Sequence, residues 1–365
     1  MSNKSYLIFA SLLCGATLMS ALLTAVVRRL AIRWDVLDHP GERKVHREPV
    51  PLMGGVAIVT TFYVVSLACF IAPLFMRELG EGWIAERFLA GLGPDGKAKF
   101  IGVFAGSFLI FLLGVVDDLK VLSPEVKLVG QIGAALVLVF SGMRVELFVL
   151  SNYWFSAFIT ILWVVTLTNS LNFLDNMDGL SGGVSVIAAF SFFMAVQPHE
   201  QMLVRFLLVI FAGSVIGFLF HNFNPARIFM GDAGSMFCGY MLASVAIMGT
   251  FHVPGTPSRI AVAAPLLALG VPLFDTASVV YIRWRNGESI MKGDKRHFSH
   301  RLVYLGMTQR QAVGFIYLVA AVTGLGAALL SQVGSMGTII ILGQTAGVFL
   351  LIVLLMKAGK RRDNK

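Results

Sequence analysis

The chain has 365 residues, of which 57% are hydrophobic and 13% charged, and its mean hydropathy is +0.80. Soluble domains carry about 25% charged residues, so a soluble fold is excluded. The net charge of +9 then reports orientation in a membrane, and no nucleic-acid partner is expected.

A helix needs ~20 apolar residues to cross a bilayer. Eleven stretches come near that length: 6–27, 54–75, 99–116, 127–143, 154–170, 180–196, 202–220, 234–250, 259–282, 311–331 and 336–356. The pattern predicts an all-α polytopic membrane protein with about 11 transmembrane helices. The connections 28–53, 76–98 and 283–310 are too short for a second domain, so residues 1–365 read as one integral membrane domain. The first stretch is followed, not preceded, by the basic flank "VVRRLAIRW", so it reads as a true helix and not a cleaved signal. Cys14, Cys69 and Cys238 lie inside apolar stretches without metal-ligand spacing and read as packing residues.

With the loop after the first span taken as cytoplasmic, 21 Lys and Arg fall on that side and 8 on the other. The positive-inside rule then puts the N-terminus outside and the C-terminus in the cytoplasm. Ten of the eleven aspartates fall on the cytoplasmic side, all but Asp95. That face is expected to hold the active site.

Five clusters on that face carry the chemistry. The first, "DHPGERKVHREPVPLMGG", interleaves His46 with Arg43 and Lys44; it suits phosphate or anionic lipid. The second, "GVVDDLKV", places Asp117 and Asp118 at the end of an uncharged run. Two adjacent like charges call for a cation or a proton donor unless both point into water.

The third, "TNSLNFLDNMDGLSGG", spaces Asn172, Asp175 and Asp178 by three. If helical, they share one side of a helix end, and Asn and Asp oxygens suit Mg²⁺; otherwise they form a capped turn. The fourth, "HNFNPARIFMGDAGS", holds Asn222, Phe229 and Asp232, the last an N-cap or a metal ligand. The fifth, "KGDKRHFSHRL", offers His297, His300 and Arg301 for phosphate or lipid headgroups. Oxygen ligands beside phosphate-binding cations suggest a nucleotide-diphosphate donor and a lipid-phosphate acceptor.

From about Asp38 to Ala312, these motifs in this order resemble the polyprenyl-phosphate N-acetylhexosamine 1-phosphate transferases, relatives of the phospho-MurNAc-pentapeptide translocase. The resemblance implies a multi-pass enzyme of the inner (plasma) membrane. It would move a sugar 1-phosphate, most simply GlcNAc-1-phosphate, from a UDP-N-acetylhexosamine to undecaprenyl or decaprenyl phosphate and release UMP. That is the first membrane step of cell-envelope polysaccharide synthesis.

By motif match, Asp117 and Asp118 take the acidic pair, and Asp175 and Asp178 the second acidic motif. Asn172 and Asp232 fall where Mg²⁺ (or Mn²⁺) binds. Phe229 would stack on uracil, Asn222 would contact uridine, and Lys44, His46, His297, His300 and Arg301 would meet phosphate. A homodimer is left open. Two positions depart from the family pattern: Ser299 stands for a histidine and Asn176 for a glycine. The rival readings are the pentapeptide translocase itself and, from another class, an ion-coupled transporter, which would hold its acids at the midplane and not at span ends.

Overall fold

The computed structural model describes residues 3–39, 48–76, 93–145, 152–196, 201–249, 263–289, 296–330 and 332–362. Lys44 and His46 lie outside the described residues. The described chain is almost wholly helical. In order it forms α1 (Asn3–Arg33), β1 (Leu37–Asp38), β2 (Val50–Pro51), α2 (Gly54–Met76), α3 (Gly93–Lys120), α4 (Pro124–Phe140), α5 (Tyr153–Leu174) and α6 (Leu180–Ala195). It continues with α7 (Met202–Asn222), α8 (Gly231–Met248), α9 (Ala264–Ala268), α10 (Gly270–Arg285), α11 (Phe298–Tyr304), α12 (Gln309–Leu329) and α13 (Ser335–Arg362).

Among the described residues, seven helices are long and apolar enough to cross a membrane: α1, α2, α3, α5, α7, α12 and α13. The other four apolar stretches form shorter elements. Helices α4, α6 and α8 have 17, 16 and 18 residues. At 1.5 Å per residue they reach about 24–27 Å, short of a ~30 Å hydrocarbon core. The described part of 259–282 is broken at Leu269 into α9 and α10, each with a proline near its start. This is a multi-pass helical membrane protein.

The two central helices are α7 and α8. The apolar window of α7 is 89% buried, against 6% for α13 at the edge. Every residue of α8 from Ala233 to Ala246 is buried. Its sequence "GDAGSMFCGYMLASVAIM" is rich in small side chains, which let helix backbones approach closely within a membrane. Gly55 of α2 lies against Gly234, and Gly114 of α3 against Ala233. A Cβ at either glycine would collide with the α8 backbone. The N-terminal end of α8 is thus held between α2 and α3, where the acidic residues gather.

Strands β1 and β2 pair antiparallel, Leu37 with Pro51 and Asp38 with Val50. The ladder closes the base of the segment that carries Lys44 and His46. The chain then runs against the entry to α8: Phe229 N–H donates to Pro51 O (2.8 Å), Gly54 N–H to Phe229 O (2.9 Å) and Gly55 N–H to Met230 O (2.8 Å).

Candidate active site

The α3–α4 corner builds the centre of the site. Helix α4 begins with Ser123 as N-cap and Pro124 in its first turn, a favoured start because proline lacks the amide that would go unpaired there. This start directs Lys127 back toward the end of α3. Its Nζ lies 2.9 Å from Asp117 Oδ2 and 2.9 Å from Asp232 Oδ2. The other Asp117 oxygen accepts the Leu122 amide at 2.6 Å. From α5, Asn172 Nδ2 donates to Asp232 Oδ1 (2.9 Å) and to Ser235 Oγ (3.0 Å). One turn deeper, Gln131 and Asn169 exchange amide hydrogen bonds of 3.2 and 2.6 Å, tying α4 to α5 beneath Lys127 and Asn172.

The neighbouring carboxylates have different tasks. Asp118 accepts the backbone amides of Asp232 (2.7 Å) and Ala233 (3.2 Å). It caps the N-terminus of α8, where the helix dipole favours an anion. Its carboxylate packs against Gly231, whose φ of +71° and lack of a Cβ make room for it. Asp232 is therefore not the N-cap of α8: the cap comes from another helix, and the Asp232 side chain turns to Lys127 and Asn172.

Asn172, Asp175 and Asp178 do not share a helix side. Helix α5 stops at Leu174, Asp175 is its C-cap, and Gly179 enters α6 with φ +77°. The Asp, Asn and Gly of "DNMDG" favour turns over continued helix. Asp178 Oδ2 consequently faces the opposite loop, accepting Asn224 Nδ2 (2.8 Å) and the Ala226 amide (3.0 Å). Asn222 is buried with both ends of its amide engaged. Its Oδ1 accepts the Gly179 amide (2.9 Å) and its Nδ2 donates to Ile228 O (2.9 Å). It fastens the 175–179 turn to the segment that carries Phe229. Among the described residues, no hydrogen-bond donor reaches the Asp175 carboxylate. Burial pushes its pKa up to about 8, with the carboxylates of Asp232, Asp118 and Asp178 adding to the rise.

A second corner forms where α10 meets α11. Asp275, fully buried, accepts His297 Nδ1 on Oδ2 (2.8 Å) and the Phe298 amide on Oδ1 (2.5 Å). Arg301 donates to Ser278, and His300 stands half-buried in the first turn of α11. The two positions that depart from the family pattern meet here: Ser299 Oγ donates to Asn176 Oδ1 at 2.5 Å. The rings of His297 and Phe173 lie 6.0 Å apart. The end of α5 thus touches both corners, the first through Asn172 and the second through Phe173 and Asn176.

Comparison with known proteins decides the kinship. The sequence model described as glycosyl transferase family 4 matches residues 100–250, which hold the acidic pair, the Asn172–Asp178 turn and Asp232. A Bacillus subtilis protein named probable undecaprenyl-phosphate N-acetylglucosaminyl 1-phosphate transferase is 33% identical over 85% of this chain and 82% of its own. This chain belongs to glycosyl transferase family 4. The decaprenyl-phosphate N-acetylglucosaminephosphotransferase of Mycolicibacterium smegmatis is 32% identical over 86% of this chain and 80% of its own. The phospho-N-acetylmuramoyl-pentapeptide-transferase of Listeria welshimeri matches less, 32% identity over 60% of this chain and 67% of its own.

The donor set of this family 4 chain fits a hard divalent cation. Among the described residues, no three His, Cys, Asp or Glu side chains form a cage. The candidate ligands are an amide and carboxylates. Asp175 lacks a donor, and Asn172, which donates through Nδ2, keeps Oδ1 without a partner among the described residues. Mg²⁺ characteristically takes one or two carboxylates and completes its shell with water and substrate phosphates.

Two site residues escaped the sequence reading. Lys127 sits at the edge of an apolar stretch, where a lysine reads as a topology signal. Asp275 is the lone charge within "GVPLFDTASVV", and that loneliness was the available signal, because an acid within a span needs a partner.

Proposed function

We propose that this chain transfers N-acetylglucosamine 1-phosphate from UDP-N-acetylglucosamine to a polyprenyl phosphate, releasing UMP, at the cytoplasmic face of the plasma membrane. The observation that carries the reading is the meeting of Asp117, Lys127, Asp232 and Asn172 at the ends of apolar helices, in a chain whose relatives of matching length bear that name. A transporter would keep its acids near the midplane. The pentapeptide transferase reading has the weaker support, because that relative matches a smaller part of the chain. The eleven-span topology with an external N-terminus belongs to the same proposal; the short helices α4, α6 and α8 would cross where the bilayer thins around the bundle.

In the reaction, an oxygen of the acceptor phosphate attacks the β-phosphorus of the nucleotide sugar, and the bond to UMP breaks. Phosphoryl transfer asks mainly for positioning and charge neutralisation. Mg²⁺ would be held by Asn172 Oδ1 and Asp232 with Asp175 beside them, and when bound it neutralises phosphate charge. The acceptor's tail must stay in lipid, so its phosphate rises only to the helix ends, where Asp117 and Lys127 meet. Lys127 orients that phosphate, and Asp117 holds or takes its last proton. Direct attack is favoured over an aspartyl intermediate. Both Asp117 oxygens accept hydrogen bonds, one of them from an ammonium group, and this lowers their nucleophilicity. Lys44, His46, Arg301 and His300 would surround the diphosphate, with Phe229 toward the nucleoside; Asn222, buried with both ends of its amide engaged, would act by holding the turn beside it.

Purified protein in detergent, given polyprenyl phosphate and a panel of UDP-sugars, should release UMP with UDP-N-acetylglucosamine and lose activity in EDTA. No release with any sugar of the panel would overturn the reaction. A cysteine placed beside Asp178 should react with an impermeant thiol reagent from the cytoplasm only.

A further inference from the structure

We propose that Asp275 is a positioning residue for this transfer: it fixes His297 so that the imidazole presents Nε2, carrying a lone pair, toward the phosphates of the bound donor. The inference rests on the reaction proposed above and adds a residue to it.

The geometry leaves little freedom. An ionised carboxylate only accepts hydrogen bonds. One Asp275 oxygen is taken by the Phe298 amide at 2.5 Å, which can only donate, and the other faces His297 Nδ1 at 2.8 Å. Nδ1 therefore carries the hydrogen, and in the neutral ring Nε2 is the acceptor. Among the described residues, none hydrogen-bonds Nε2. His297 is 7% exposed, and its ring lies beside Phe173, the residue after Asn172. Helix α11 cannot turn away, because Ser299 is bonded to Asn176 and Arg301 to Ser278. The diphosphate of a nucleotide sugar carries no proton near neutral pH, so the ring takes its second proton from water on Nε2, gives it to the phosphate of UMP as that bond breaks, and returns to the neutral form with hydrogen on Nδ1. A neutral ring with its hydrogen on Nε2 could only donate.

Asp275→Asn tests this with almost no change of shape. The Phe298 amide must keep an oxygen as its acceptor, so the new NH₂ faces Nδ1 and drives the hydrogen to Nε2. In protein with ¹⁵N-labelled histidine, the His297 resonances are assigned by their loss in His297→Asn. They should show hydrogen on Nδ1 in the wild type and on Nε2 in Asp275→Asn. The kcat of UMP release should fall on the order of 10²-fold or more, as loss of a correctly oriented proton acceptor does. The KM for the nucleotide sugar should stay nearly constant. His297→Asn keeps an amide donor for Asp275 and so retains the anchor; it should lose as much kcat, and the double variant should lose no more. A wild-type ring with hydrogen on Nε2, or an Asp275→Asn protein that folds, switches tautomer and keeps its kcat, would overturn the proposal while leaving wild-type UMP release untouched. Failure of the wild type to release UMP would instead remove the reaction itself. Should Asp275→Asn fail to fold, full kcat in His297→Asn would still overturn the proposal.

Discussion

The two corners of the site are built on opposite plans. Among the described residues at the ends of α3, α4, α5 and α8, the carboxylates of Asp117, Asp118, Asp175 and Asp232 gather with one ammonium group, Lys127, and no donor reaches Asp175. Where α10 meets α11, the buried acid has two donors and the serine hydroxyl has an acceptor. On the proposed reading, the first corner, with four carboxyl groups around the one ammonium group among its described residues, would be completed by a cation that arrives with the substrate. In the second, the protein itself supplies the partners of the buried acid, and the task proposed for it is direction.

The comparison breaks most visibly at the first corner. Asp232→Ala or Asn172→Ala should each lower UMP release by about 10³-fold, as loss of preorganised charge stabilisation does, while a detergent melt remains cooperative. Wild-type Mg²⁺ dependence in either variant would remove that residue from the metal site.

The adjacent acids sharpen the contrast within that corner. Asp117→Asn should reduce turnover by roughly 10²-fold with nucleotide-sugar binding retained by calorimetry. Asp118→Asn removes a charged cap from α8 and should show itself first in stability, by about 1 kcal/mol. Equal losses of stability in the two variants would contradict the division of labour seen in their hydrogen bonds.

Asp175 gives a pH test. Its folded pKa of about 8 lies above the ordinary 3.8, so ionising it destabilises the metal-free fold. In EDTA the contribution of Asp175 to stability should be fully present below about pH 4 and be lost as pH rises to about 8. Asp175→Asn should flatten that slope, and so should added Mg²⁺. A flat wild-type profile would show that the charge is already compensated.

The smallest effect belongs to the second corner. Ser299→Ala and Asn176→Ala, combined in a double-mutant cycle, should show a coupling of about 1 kcal/mol. The two departures from the family pattern would then count as one change, a hydroxyl and an amide that join α11 to the turn after α5. Zero coupling would make them independent.

Legibility followed charge. Acids and asparagines at the ends of apolar runs stand out in sequence, so Asp117, Asp118, Asn172, Asp175, Asp178 and Asp232 could be named without coordinates. What each one touches could not be named. Adjacent residues on a helix point about 100° apart, which sends Asp117 to Lys127 and Asp118 to the amides of α8, and no pattern of residue types reveals which goes where. The three-residue spacing after Asn172 misled because it is consistent with a helix, while the Asn between the last two acids and the Gly after them end it. Span counting meets the same kind of competition. An apolar run of 17 residues satisfies composition before it satisfies bilayer thickness, and the prolines in 259–282 divide what hydropathy joins.

The two-residue ladder of Leu37–Asp38 with Val50–Pro51 bears on how such an enzyme diversifies. It closes the chain on itself before the backbone reaches Phe229 and α8, so the stretch between the two strands is anchored at both ends by bonds that do not involve it. A protein engineer who exchanges residues 40–47 at these two seams would change the contacts proposed for Lys44 and His46 and leave the bonds that hold the start of α8 in place.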